Sequence, residues 1–274
     1  MSKKGQDRPL DRAALQELIE RSPGPVLPYA RDYPAGWDTG LHRHRRAQLV
    51  FAVRGIMTVT TESGLWVVPP QRAVWVPAEA EHALKMHDLV QLRTLYIDPA
   101  RAPDLPRRPH VVAVTPLLRE VILRLMSLPP EATAQGAGAR LVAVMLDELL
   151  ARPEAPLHLP EPMDPRLRRI CAALRQDPTD QRSLAEWADL VGASPRTLAR
   201  RFQEQTGMGF AAWRQQARLL AALPLLAEGR PVTSVAFDIG YEGPSAFIAA
   251  FKRSFGVTPG RYLTKSEGTG SSSE

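Results

Sequence analysis

Two arginines four residues apart, Arg196 and Arg200, have a type and spacing that point to a definite chemistry. A guanidinium can grip guanine O6 and N7 through two hydrogen bonds, which discriminates against another base by roughly 1–3 kcal/mol. Four-residue spacing places both arginines on one face of a helix, and the opposite face must then be anchored. Leu198 and Phe202 provide the anchor, Ser194 a cap and Pro195 a helix start. Arg196, Thr197, Arg200 and Gln203 are left on the outward row, and Arg201, at its side, is expected to meet phosphate.

The element that presents such a row is the second helix of a helix-turn-helix. Residues 183–207 read as a short helix, a turn at Gly192 and a second helix, and residues 234–256 repeat the plan around Gly240 and Gly243. In the repeat, Phe247, Phe251 and Phe255 form the inward stripe and Pro244, Ser245, Ile248, Ala249 and Lys252 face out. That face carries few hydrogen-bonding groups. Lys252 and Arg253 are expected on phosphate, Ile248 on a thymine methyl, and Ser245 as its one polar reader. Residues 209–229 read as a connecting helix that presents the two units to successive major grooves about 34 Å apart. Pro224 falls inside it, where proline costs about 3 kcal/mol. Either the helix breaks there, leaving residues 225–229 as a separate turn, or a kink bends the bound DNA.

The second unit and the closing segment FGVTPGRYL, residues 255–263, resemble the DNA-binding domain of AraC/XylS-type bacterial transcription regulators. The resemblance implies double-stranded promoter DNA as partner, pairing of subunits as a homodimer, and RNA polymerase as a further candidate partner.

Upstream the pattern changes. Residues 47–53, 56–62, 65–69, 73–77, 82–86 and 89–97 are short β-type runs bounded by Gly55, Gly64, Pro69, Pro70 and Pro77, which predicts a small barrel or sandwich. The spacing resembles the cupin barrel. Its first motif is matched by His42, His44, Gln48 and Gly55, with Gln48 where metal-binding cupins carry glutamate. Its second is matched by Gly64, Pro70, Pro77 and His82, with Glu79 where glycine is usual. That resemblance makes His42, His44 and His82 candidate ligands of a divalent ion, since neutral imidazole suits zinc, nickel or iron. Without the glutamate the site lacks an anionic ligand and a common catalytic carboxylate, so no catalytic residue and no certain cofactor is assigned. The chain reads as a non-enzyme. The alternative is a cupin-type metal-dependent enzyme or metal sensor carrying a DNA-binding domain.

Trp37, Phe51, Trp66, Trp75 and Tyr96 all fall within the barrel. Alternation along residues 73–77 puts Val74 and Val76 on one face and Ala73 and Trp75 on the other, so some large side chains must face away from the core. With His42, His44, Gln48 and His82 they form the expected pocket for a small-molecule effector. The run WVVPPQRAVWVP, residues 66–77, resembles the AraC/XylS subgroup that controls neighbouring efflux genes in response to small molecules.

The expected fold is thus α+β and multidomain: a cupin-like barrel with two following helices, then an all-α domain with two helix-turn-helix units. Residues 1–30 read as a flexible arm containing one helix over 11–21, capped by Asp11, and residues 31–98 as the barrel. Residues 99–151 follow an extended 99–109 connection with two amphipathic helices and are expected to dimerise. Residues 152–163 are a Pro-rich linker, 164–265 the DNA-binding domain and 266–274 a disordered tail.

Charge supports that division. Residues 164–265 hold 15 Lys/Arg against 9 Asp/Glu, a net +6, whereas residues 1–163 hold 20 against 18. A basic excess concentrated in the smaller domain is the footprint of a polyanion binder. No run of eighteen apolar residues and no apolar leader occurs, so no membrane association is expected and the location read is cytoplasmic. A lone Cys171 suits a reducing compartment, and its place on the core side of a helix argues against a redox role.

Overall fold

The computed structural model describes residues 12–150 and 157–262. Asp11, residue 151, residues 152–156 of the expected linker, residues 263–265 and the expected tail 266–274 lie outside them. The first half is a pair of facing antiparallel sheets. One contains β1 (Val26–Tyr33), β2 (Ala47–Arg54), β5 (Arg72–Val76), β7 (Val90–Ile97) and β8 (His110–Ala113), in the order β1-β7-β2-β5-β8. The other runs β6 (His82–Met86), β3 (Met57–Thr61), β4 (Gly64–Val68) and β9 (His158–Pro160). Period-two alternation gives each sheet two faces with different partners. Val50, Val74, Val76 and Leu92 meet Met57, Val59, Trp66, Val68, Leu84 and Met86 between the sheets. Leu49, Phe51, Ala73, Trp75, Leu95 and Ile97 point the other way.

That second face is covered by two helices, α2 (Pro116–Met126) and α3 (Gly136–Leu149). Leu118, Val121, Ile122 and Leu125 of α2 and Val142, Met145 and Leu149 of α3 form the buried stripe, while Leu117, Val144 and Leu150 remain exposed. Thr115 caps α2 by accepting from Leu118 N–H at 3.0 Å. Gly136 and Gly138 lie within the first turn of α3. Ala132 O occupies the position a Cβ of residue 138 would need, 2.0 Å away, so only glycine allows this close approach.

The expected boundaries shift at both ends. Residues 26–30 are not part of a flexible arm, because β1 pairs with β7 along its whole length. A helix α1 (Arg12–Arg21) does precede it and packs through buried Ile19 onto Leu27, Tyr29 and Tyr96. Residues 157–160 are not a free spacer either. β9 adds to the edge of β4, with Leu157 and Leu159 1% exposed, and its Pro160 is tolerated there because an edge strand needs only one side of its ladder. Residues 99–109 are also not uniformly extended: Pro99–Arg101 form a 3₁₀ turn capped by Asp98, and Pro106 O accepts from Trp75 Nε1 at 2.9 Å.

The helical half comprises α4 (Pro165–Gln176), α5 (Leu184–Val191), α6 (Pro195–Thr206), α7 (Phe210–Ala227), α8 (Val232–Asp238) and α9 (Pro244–Phe255). Asp164 caps α4 by accepting from Arg166 N–H, and Ser183 with Glu186 forms a capping box at α5. α7 passes through Pro224 without breaking and ends three residues later at Ala227. Pro224 lies in the last turn and is buried, and residues 225–227 remain helical, so the separate turn expected over residues 225–229 does not form.

Candidate effector cavity and candidate DNA-reading helices

The barrel encloses a cavity of about 350 Å³ bordered by α1, the 33–42 segment and the inner faces of β1, β2, β6 and β7. Of the expected residues, Trp37, His42, Gln48 and Tyr96 line it, and His44 and His82 lie directly behind them. Phe51 and Trp75 do not, because their positions point to the opposite face of the sheet, under α2 and α3. Trp66 does not either. It stacks on His158 of β9 with ring centroids 4.5 Å apart and planes 13° from parallel. The sequence reading missed Tyr29, Tyr33 and Leu92, which share the wall, and Leu15, Gln16 and Ile19 of α1, which close one side. Tyr29 and Tyr33 could have been found from the period-two spacing of residues 26–33. No local signal marks a helix as the cover of a distant cavity.

The histidines are held by backbone. His42 and His82 exchange amide hydrogen bonds at 2.9 and 2.7 Å, and their rings lie 4.3 Å apart. Nδ1 of His42, His44 and His82 donates to the carbonyls of Gly40, Arg46 and Ala80 at 2.9, 2.6 and 2.8 Å. Gln48 Oε1 stands 3.2 Å from His44 Nε2 and 3.0 Å from His82 Nε2. Burial pushes His44 below its ordinary value and His82 down to about 3, the latter helped by the neighbouring His42 charge. Burial and the nearby phenols hold the Tyr96 hydroxyl protonated. Glu79, at the position where glycine was expected, keeps the left-handed conformation a glycine would adopt, with φ 62°, and its N–H donates to His44 O.

In the helical half, Gly192 takes φ 65° and closes α5, turning the chain into α6. Ser194 caps α6 by accepting from Thr197 N–H at 3.1 Å, and Leu198 and Phe202 are buried beneath it. Arg196, Arg200 and Gln203 are exposed on its outer face and Thr197 is half-buried. Arg200 carries an exposed i, i+4 pair with Glu204 at 2.7 Å. Arg201, expected on phosphate, pairs its guanidinium with Asp164, the α4 cap, whose carboxylate is 5% exposed, while its own side chain stays 43% exposed. On α9, Phe247 and Phe251 are buried, Ser245, Ala249, Lys252 and Arg253 are exposed, and Pro244 and Ile248 are half-buried. Cys171 is buried in α4, and burial pushes its thiol well up, leaving no thiolate for redox chemistry.

The two halves touch. Trp213 Nε1 of α7 donates to Pro160 O of β9 at 2.8 Å, Glu161 pairs with Arg175 of α4, and Gln205 Oε1 accepts from the amides of Met163 and Asp164.

A β-rich domain enclosing a cavity, followed by a helical domain bearing an exposed basic helix-turn-helix, defines a ligand-binding class of DNA-binding regulator. Residues 24–188 match the family described as the AraC-like ligand binding domain, and residues 187–265 match a helix-turn-helix domain. The chain belongs to the AraC family of transcriptional regulators, which are DNA-binding proteins and not enzymes. It is 38% identical over 225 residues to the HTH-type transcriptional regulator NimR of Escherichia coli, covering 82% of each chain. It is also 38% identical over 112 residues to the regulator RipA of Corynebacterium glutamicum, covering 41% of this chain and 34% of that one. Among solved structures it is similar to Vibrio cholerae ToxT bound to an unsaturated fatty acid, at 12% identity and a TM-score of 0.39, covering 90% and 98% of the two chains. Among the described residues no helix is long and apolar enough to cross a membrane.

Proposed function

We propose that the chain is a ligand-responsive, homodimeric regulator that reads promoter DNA by placing α6 and α9 in successive major grooves. The observation that carries this reading is that β9 belongs to the same barrel as the cavity and is hydrogen-bonded through Pro160 O to Trp213 of the DNA-binding half. A ligand that reshapes the barrel therefore has a short physical path to the reading helices, which a ligand must use if it is to favour one state over another. Base discrimination belongs mainly to Arg196 and Arg200, with Thr197 and Gln203 beside them, while Lys252 and Arg253 hold phosphate.

The cavity lining suggests the effector's chemistry. Tyr29, Tyr33, Trp37, Leu84, Leu92 and Tyr96 offer flat and apolar walls, and among the described lining residues there is no Lys or Arg and Asp38 is the one carboxylate. A carboxylate ligand would be buried without a counter-charge, so a compact, uncharged or weakly basic molecule fits.

The test uses the full-length protein. Fluorescence anisotropy with fragments of the region upstream of its own and neighbouring genes should show preference over random DNA at the same salt. Compounds that raise the Tm should shift that binding. If no fragment is preferred, or if every stabilising compound leaves DNA affinity unchanged, the reading is wrong.

A further inference from the structure

The two helix-turn-helix units are tied to each other by a side chain of the helix between them. Residues 177–182 connect α4 to α5 and run past the turn of the second unit. Gly240, at φ 82°, seats that turn against them: a Cβ there would come within 2.7 Å of Pro178 O and 2.8 Å of Thr179 Cα, so the two backbones touch. Gln181 Nε2 donates to Gly240 O at 3.0 Å. Arg218, in the middle of α7, grips the same loop with its fork: Nε donates to Pro178 O at 2.8 Å and Nη2 to Asp180 O at 3.0 Å. The loop keeps its shape through Asp177, which accepts from Thr179 N–H at 3.0 Å, and Asp180, which accepts from Arg182 N–H at 2.8 Å.

From this junction a short chain of contacts runs to each reading helix. On one side the Arg182 guanidinium lies 4.0 Å over the ring of Trp187 in α5, and α5 turns at Gly192 into α6. On the other side Tyr241 packs on Phe247 of α9 with ring centroids 5.6 Å apart. Apolar burial holds both units on α7, but it is non-directional and leaves them free to slide. A planar guanidinium on two fixed carbonyls removes that freedom.

We propose that Arg218 is a positioning residue that sets the spacing and angle at which α6 and α9 meet DNA, by holding the 177–182 loop against the Gly240 turn. Its donors face protein backbone, so its part in recognition is exerted through the loop. The inference rests on the reading in which both helices enter grooves, and adds to it the device that makes the protein accept one spacing and reject its neighbours. One added base pair moves the second site by about 3.4 Å along the DNA axis and about a tenth of a turn around it. A rigid pair of helices cannot follow that displacement, whereas a loosened pair can.

Fluorescence anisotropy tests this with the full-length protein. Two fragments are compared: the preferred one, and the same one with a base pair inserted between the positions that single-base substitution assigns to α6 and to α9. Wild type should lose at least about tenfold in affinity on insertion, whereas Arg218→Gln should bind the two fragments within about threefold of each other. A loss of stability alone would lower both affinities together and leave their ratio where it was. Arg218→Lys keeps the charge and lacks the fork, so it should behave as Arg218→Gln does. Recovery of the wild-type ratio by lysine would trace the effect to charge and overturn the proposal, as would an Arg218→Gln protein that keeps that ratio. If neither Arg218 variant folds, Gln181→Ala, at an exposed side chain, decides: a ratio reduced by at least about threefold supports the proposal and an unchanged one overturns it. A wild type indifferent to the insertion refutes the two-groove reading and this inference with it, while a sensitive wild type with unmoved variants refutes this inference alone.

Discussion

At the scale of single residues, the reading helix is defined by which arginines are uncommitted. Arg196 stands exposed, and Arg200 is held only by an exposed pair with Glu204, a contact of the kind worth about 0.3–0.5 kcal/mol. Leaving Glu204 for a guanine edge therefore costs little. Arg200→Ala is expected to cost roughly 1–3 kcal/mol on the preferred operator and to flatten preference at one base position, whereas Lys252→Ala should weaken all sequences alike and lower the salt slope. Competition binding against single-base operator variants, at two salt concentrations, checks both. Arg201 is different, since Asp164 already holds it. Glu79 is the described non-glycine residue with positive φ, at 62°. Its exchange for glycine removes the left-handed penalty, so Glu79→Gly should raise stability by about 1 kcal/mol, measured by denaturant unfolding.

At the scale of elements, β9 makes the connection between the halves mechanical. The strand is short, sits at a sheet edge, and is secured by its pairing with β4, the Trp66–His158 stack and the Trp213 bond to Pro160 O. Trp213→Phe keeps the buried ring and deletes the bond. Effector affinity and effector-free DNA affinity should each remain within about twofold, while the ratio of DNA affinities with and without effector moves towards one. An unchanged ratio would remove β9 as the route. The same element carries a pH dependence. Burial holds His158 and, in the turn after β6, His87 below the ordinary value of 6.5, so each takes up its proton at a lower pH in the folded protein than in the unfolded chain. Below that value the unfolded chain binds protons that the folded chain does not, so stability is complete above 6.5 and falls as the pH drops through it. A Tm series from pH 8 to pH 5 should decline on the acid side; replacing His158 by Gln should reduce the decline.

For the whole molecule, the question is what α2 and α3 do with their remaining apolar surface. One stripe covers the sheet, and Leu117 and Leu150, 54% and 53% exposed, with Val144 are left over. In a homodimer these residues would be buried. Leu117→Glu combined with Leu150→Glu should then convert a dimer into a monomer by sedimentation equilibrium without lowering the Tm of the barrel, and a wild-type monomer at micromolar concentration would refute helix-mediated pairing.

What the sequence determined by itself is everything that depends on local spacing. The i, i+4 stripes of α6 and α9, their turns at Gly192 and Gly240, and the period-two strands β2 to β7 are all set by side-chain direction over a few residues, so the DNA-binding half and the sheet character of the first half were legible. Pro224 was a local signal whose consequence was not local: α7 continues past it to Ala227 with Pro224 buried. Only the tertiary structure decided which face of each strand met the other sheet and which met α2 and α3, and hence that Phe51 and Trp75 leave the cavity while Tyr29 and Tyr33 enter it. It likewise decided that α1 closes the cavity, that β9 joins the barrel, and that Asp164 takes Arg201. Those outcomes turn on segments far apart in the chain competing for the same buried surface, and no spacing within either segment records which one wins.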